Sequence, residues 1–227
     1  MDTLTHALSG ALAARAFEPR APQARQLPRR QRLWLAFWAA AFPDSDVVAN
    51  FIGPLTYLAT HRGITHSIVM LPVWAAGLGL AVWWLTKRRY DYREIALVIG
   101  LGIFAHIVGD VITAFGTMVL APLADWRMAW PTTFIIDPYF TAIILTGLVA
   151  AALWEAPRKP ALIALAALVG YVGFQGVLLA RAVGIGEEYA RTQGMREARA
   201  HALPQPFSPF NWMVVVEAAR AYHLAYV

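Results

Sequence analysis

The sequence contains no cysteine, which excludes a disulfide framework, a thiol nucleophile, an iron–sulfur cluster and a thiolate zinc site. Charge is scarce too: 15% of the 227 residues are Asp, Glu, Lys or Arg, where a soluble domain carries about 25%. The strings His-Glu-x-x-His, Gly-x-Ser-x-Gly and Gly-x-Gly-Asp do not occur, so a zincin protease, a nucleophile-elbow hydrolase and an intramembrane aspartyl protease have no sequence support. Repeats and low-complexity tracts are missing as well, and Asp2 in place of a basic start argues against a cleavable signal peptide. What is present in excess is apolar side chain, 59% of the total, against a usual share of about 45–50%. Residues 68–86 and 161–180 carry no charge, and 134–154 carry only Asp137. Runs of this length match the roughly 20 residues a helix needs to cross a bilayer. The sequence therefore predicts an integral membrane protein.

Six apolar segments are expected as helices, at 3–17, 33–48, 66–86, 95–113, 134–154 and 161–180. The first two are short for full crossings. The predicted fold class is an all-α membrane protein, a bundle of four to six transmembrane or partly inserted helices. Residues 1–180 form the membrane domain, and 181–227 form a polar, outward-facing α+β tail in which 212–217 and 221–227 read as strands. Loop charge alternates. Arg20, Arg25, Arg29, Arg30 and Arg32 fill loop 18–32, Lys87, Arg88, Arg89 and Arg93 fill 87–93, and Arg158 and Lys159 sit in 155–160. Loop 49–65 has only Arg62 and loop 115–133 only Arg127. The positive-inside rule makes the basic loops cytoplasmic and the other two external. The net charge of +5 is accounted for by orientation in the membrane, and no nucleic-acid partner is expected.

Ionisable residues in or beside membrane helices are costly and default to function. They are Asp2, His6, Asp44, Asp46, His61, His66, His106, Asp110 and Asp137. At the helical rise, Arg93 to His106 spans roughly 20 Å and Arg32 to Asp44 roughly 18 Å. Segments of opposite direction thus place their acids and histidines towards the outer end of a hydrocarbon core about 30 Å thick. Asp2/His6 and His106/Asp110 are i,i+4 pairs that share a helical face. Pro43 can end a helix and turn Asp44 and Asp46 in one direction. His61 and His66 converge if Arg62-Gly63 is a loop. Four histidines and four aspartates suffice for one or two divalent ions, with zinc, manganese and iron all compatible. Plainer roles compete: Asp2 and Asp137 can cap helices, and Arg62 can simply pair with an aspartate.

Several strings carry a resemblance. Met-Asp2-Thr3-Leu4-Thr5-His6, Pro43-Asp44-Ser45-Asp46, His61-Arg62-Gly63-Ile64-Thr65-His66-Ser67 and His106-Ile-Val-Gly-Asp110 resemble the bacterial inner-membrane metal-dependent hydrolases, a family also labelled LexA-regulated or LexA-binding. The stretches Thr113-Ala-Phe-Gly116-Thr117, Ile135-Ile-Asp137-Pro138 and Pro206-Phe-Ser-Pro209-Phe-Asn211-Trp212 are similar to it as well. The resemblance implies a bacterial inner-membrane, multi-pass hydrolase with a bound metal, zinc foremost.

The expected metal ligands are Asp2, His6, Asp44, Asp46, His61, His66, His106 and Asp110. Asp46, Arg62 and Arg127 are the catalytic candidates, the arginines for gripping a phosphate or carboxylate. Arg62, Thr65, Ser67, Thr113 and Thr117 are the candidate substrate contacts. A site facing the periplasmic side suits an amphiphilic or lipid-linked ester or phosphoester drawn from membrane lipid. The rival readings are a divalent-cation transporter, which needs a polar route inward that residues 95–104 lack, and a non-enzymatic membrane scaffold.

Overall fold

The computed structural model describes all residues except 20–23, 155, 157, 196 and 220, so Arg20 of the first basic loop lies outside the described residues. Among the described residues, seven α-helices and a small sheet follow one another: α1 Thr3–Ala16, α2 Arg29–Ala41, α3 Pro54–Thr60, α4 Leu71–Leu85, α5 Tyr92–Val111, α6 Pro138–Leu153, α7 Arg158–Thr192, then β1 Arg199–Pro204, β2 Trp212–Ala218 and β3 Ala221–Tyr226. Two 3-10 segments, Phe42–Phe51 and Ile64–His66, lie either side of α3. Helices α5 and α7 are long and apolar enough to cross a bilayer, and Pro54–His66 with α4 forms a third candidate span bent by 78°.

The fold is mostly helical, as the sequence predicts, but the helix expected over 134–154 starts at Pro138, the expected loop 49–65 holds α3, β1 adds a strand to the two expected, and three further boundaries differ. The segment expected as one helix over 33–48 changes to 3-10 at Phe42–Phe51, because Pro43 has no amide hydrogen to continue the α-helical ladder. The helix expected from 66 starts at Leu71. There the Ser67 hydroxyl accepts from the Val69 and Met70 amides, which places His66 before the helix rather than on it. Helix α7 runs unbroken through residue 180 to Thr192, so its 35 residues extend roughly 52 Å, well past a hydrocarbon core of about 30 Å.

Small residues set how closely the first helices approach. A Cβ at Gly10 of α1 would lie 2.5 Å from the Ala36 carbonyl oxygen, and one at Gly102 of α5 would lie 2.7 Å from the same atom. Helix α2 is thus clasped backbone to backbone between α1 and α5, the small-residue packing that membrane helices use in place of a hydrophobic drive. At one end of this trio, Arg32 pairs with Glu94 at 2.7 Å and donates to the Ala14 and Phe17 carbonyls. The opposite ends of the same three helices therefore meet, and those ends carry His6, Asp44 and His106.

Between the two ends the bundle is filled by Leu12, Ala36, Ile95, Ile99 and Ile103, all buried. Helices α6 and α7 form a second layer against α1, with Ile144, Ala161, Ala164 and Leu168 buried there. The sheet has order β1-β2-β3, antiparallel throughout. It packs on the far part of α7 through Trp212, Val214 and Val216 against Ala182 and Ala190.

Candidate metal centre

Four side chains from three parts of the chain point their terminal atoms at one small volume. Asp110 Oδ2 lies 3.3 Å from His66 Nε2 and 3.3 Å from His106 Nε2. Asp44 Oδ1 lies 3.5 Å from His106 Nε2 and 3.8 Å from His66 Nε2. A tetrahedral ion with ligand bonds of about 2.0–2.1 Å has ligand–ligand edges of about 3.3–3.4 Å. The two edges from Asp110 have that length, and the two from Asp44 are longer. His66 Nε2, His106 Nε2 and Asp110 Oδ2 are all buried without a hydrogen-bond partner. Orphaning a buried polar atom costs about 1–3 kcal/mol, so three in one volume fit the donor set of a cation site. Two overlapping groups, His66/His106/Asp110 and His6/Asp44/His106, have the spacing to hold a metal, and they share His106.

The surroundings explain why these atoms are free to coordinate. His106 Nδ1 donates to the Ala40 carbonyl at 2.6 Å, which fixes the tautomer and leaves the Nε2 lone pair facing inward. His66 Nδ1 is held by Thr65 Oγ1 at 2.9 Å, with Asp46 Oδ2 3.6 Å away. Asp110 divides its labour by atom. Its Oδ1 meets His6 Nε2 at 3.0 Å, the Met1 amine at 2.7 Å and the Arg62 guanidinium at 3.0 Å, and Oδ2 is left for the cluster. His6 stacks on His106, ring centroids 3.7 Å apart. Gly109 makes room for it, since a Cβ there would sit 3.0 Å from the His6 ring. Thr3 Oγ1 donates to Asp44 Oδ2.

His61 and Asp46 form a separate pair at the rim. His61 Nδ1 lies 3.1 Å from each Asp46 oxygen, and the Arg62 amide donates to the same carboxylate. Arg62, at φ 59°, turns its guanidinium inward to Asp110 and to Thr113 Oγ1 at 2.7 Å, and Thr113 in turn donates to the Asp110 carbonyl. Arg62 is thus paired with an aspartate, the plainer of its two sequence readings, although its Nε remains buried and unpartnered. Arg127 donates to the carbonyls of Ala59, His61 and Gly116, so it ties down the loop that carries His61. Burial and the neighbouring Arg62 charge hold the Arg127 guanidinium below its ordinary pKa. Both guanidinium groups lie over the Phe115 ring.

The remaining expected site residues are placed elsewhere. Asp2 caps α1, its Oδ1 accepting from the Thr5 amide at 3.0 Å. Ser67 spends its hydroxyl on the start of α4 and on the Val119 carbonyl. Thr117 is buried with its hydroxyl unpartnered. Asp137 caps α6 through the Tyr139 and Phe140 amides and accepts from the Tyr171 hydroxyl. The sequence reading missed Thr3 and the Ala40 carbonyl. Thr3 stands next to Asp2 in a quoted string, whereas a backbone carbonyl has no signature in residue type.

This arrangement sits on the part of the chain that a family description covers: residues 1–182 match the YdjM inner membrane protein model. The chain belongs to the YdjM inner membrane protein family. All the residues of the quartet and its rim lie inside the matched stretch. Among curated proteins, an uncharacterized protein of Bacillus subtilis (strain 168), YfhP, is similar to this YdjM-family chain, 25% identical over 183 residues. That alignment covers 80% of this chain and 54% of YfhP, so the chain spans about half the length of that relative. No solved structure matches.

Proposed function

We propose that this YdjM-family chain is a membrane metal-dependent hydrolase whose centre holds one divalent ion, zinc foremost, on Asp44, His66, His106 and Asp110. The observation that carries the reading is the quartet itself: four ligand-atom separations of 3.3–3.8 Å, with His66 Nε2, His106 Nε2 and Asp110 Oδ2 buried without another partner. Two imidazoles and two carboxylates form a mixed nitrogen and oxygen set that suits zinc, and manganese or iron also accept it. When bound, such an ion supplies Lewis acidity for hydrolysis of an ester or phosphoester.

The chain's own residues supply the rest. Asp46 takes the His61 Nδ1–H with both oxygens, which turns Nε2 to the rim as the candidate proton acceptor. Asp46 is therefore a positioning residue for His61. Arg62 pairs directly with Asp110 and, through its backbone amide, anchors Asp46. Arg127 holds the His61 loop by three carbonyls. Loop charge supports a site on the periplasmic side of the inner membrane, and the substrate we favour is amphiphilic or lipid-linked.

A cation transporter with the same ligands needs a polar path through the bundle. The buried Leu12, Ile95, Ile99 and Ile103 fill the space inward of the quartet, which favours the hydrolase. The test is metal content by mass spectrometry of purified protein beside His66→Ala/His106→Ala. About one equivalent of zinc, lost in the variant, supports the reading; no metal after reconstitution with zinc, manganese and iron overturns it.

A further inference from the structure

The metal quartet is closed on most sides, with His66 and His106 at 0% side-chain exposure and Asp110 at 1%. Its open edge is Asp44, 20% exposed, with His61 at 17% beside it. Those two residues mark the two ends of one segment. Between Asp46 and His61 the chain runs out and back as the later part of the first 3-10 segment followed by α3, and its base is clamped by the Asp46–His61 pair and by the Arg127 bond to the Ala59 carbonyl.

This segment has no charged side chain and almost no cover. Phe51 is 93% exposed, Leu55 82% and Ile52 80%, with Val47, Val48 and Leu58 also exposed. No residue of α3 is buried. A contiguous apolar surface of this kind marks an interaction site. The backbone says which kind. Residues 42–51 and 54–60 are helical, the Ile52 and Gly53 amides return to Ala49 and the Tyr57 amide to Gly53. Pro54 starts α3 with no amide to satisfy, and the Thr60 hydroxyl bonds back to the Thr56 carbonyl. A peptide that returns these amides to its own carbonyls while exposing Val47, Val48, Phe51, Ile52, Leu55 and Leu58, with Asn50 the exposed polar side chain among them, suits a leaflet, where unsatisfied backbone is prohibitive. The segment leads directly into the bent helix pair that is a candidate span.

We infer that residues 47–58 are a wing inserted in the bilayer leaflet on the site's side, which brings the open edge of the metal centre level with lipid headgroups. A substrate with acyl chains beside the wing then presents its headgroup ester or phosphoester to Asp44 and His61 without leaving the membrane. What that edge receives rests on the hydrolase reading; the insertion of the wing does not.

The chain has no native cysteine, so Phe51→Cys and Leu55→Cys each give a single thiol for a nitroxide. In vesicles of phosphatidylethanolamine and phosphatidylglycerol, the collision rates of each label with oxygen and with a neutral water-soluble nickel chelate report depth. Leu97→Cys on exposed α5 surface serves as the lipid standard and Tyr222→Cys on β3 as the aqueous one. The expected result is an oxygen-dominated ratio at 51 and 55, as at 97. A nickel-dominated ratio, as at 222, places the wing in water and overturns the inference. Low collision with both reagents means that protein, such as a second copy of the chain, covers the wing, which also overturns it. Zinc content of the same preparations reads the hydrolase proposal separately, since a metal-free protein with an oxygen-rich wing removes that reading and leaves this one.

Discussion

His106 and Ala40 are joined by a 2.6 Å hydrogen bond from the imidazole Nδ1 to a carbonyl at the end of α2. The tautomer of a proposed metal ligand is therefore set by how closely α2 lies against α5. Gly102 controls that approach. A Cβ there would meet the Ala36 carbonyl at 2.7 Å, the Ala39 Cβ at 3.0 Å and the Ala40 amide nitrogen at 3.1 Å. Gly102→Ala must push α2 outward and carry the Ala40 carbonyl from His106. Loss of such a supporting contact lowers metal affinity by about 10–100-fold, and overpacking costs about 1–3 kcal/mol of stability. Competition of wild type and variant against a zinc chelator reads the first effect. Equal affinity would detach the carbonyl from the site.

Asp110 and Asp2 both carry buried carboxylate oxygens without partners, yet they should behave in opposite ways. Asp110→Asn removes charge from the quartet and leaves Arg62 facing a neutral amide, so bound metal should fall to background. Asp2→Asn keeps a good helix cap and should keep the metal. Asp2→Ala should lose about 0.5–2 kcal/mol of stability while still binding. Metal analysis of the three variants in detergent checks this. Loss of metal in Asp2→Asn would add Asp2 to the ligand set.

Much of this centre can be read from spacing. The i,i+4 pair His106 and Asp110 lies on one face of α5 because helical geometry dictates it, and charge placement correctly brings the ends of α1, α2 and α5 together. Residue type alone could not divide the eight expected ligands into an inner quartet of Asp44, His66, His106 and Asp110 and a surrounding group. That division depends on which atom of each side chain is already engaged: Asp2 with the Thr5 amide, His6 with Asp110 Oδ1, His61 with Asp46. Nor does composition reveal that α7 continues past Arg181. Its Glu187, Glu188 and Arg191 face outward while Ala182, Gly186 and Ala190 face the sheet, an amphipathic pattern that a search for uncharged runs discards.

The sheet's attachment to α7 depends on Gly186. A Cβ there would lie 2.8 Å from Val214 Cγ1 and 2.9 Å from the Ala200 Cβ. Gly186→Val should loosen β1 and β2 from the helix, at a cost of about 1–3 kcal/mol. Protease sensitivity within residues 199–227 should rise, with bound zinc unchanged. A parallel loss of zinc would show that the tail supports the centre at a distance.

On the proposed function, variants of His61 and Asp46 would separate metal binding from turnover. Neither is in the quartet, and Asp46 approaches it only as far as His66 Nδ1 at 3.6 Å. His61→Gln would remove the proposed proton acceptor at the rim and leave the quartet in place, so metal content should stay at the wild-type level. Hydrolysis of a phosphoester or lipid ester should fall by about 10²–10⁴-fold, the usual contribution of a positioned base. Asp46→Asn should cause a smaller fall, because an amide oxygen still accepts the Nδ1–H but no longer stabilises a protonated ring. Since Asp46 acts through His61, Asp46→Asn in the His61→Gln background should add little further loss. An undiminished rate in His61→Gln, with metal retained, would move the proton acceptor elsewhere and leave this pair as a clamp for the base of the wing.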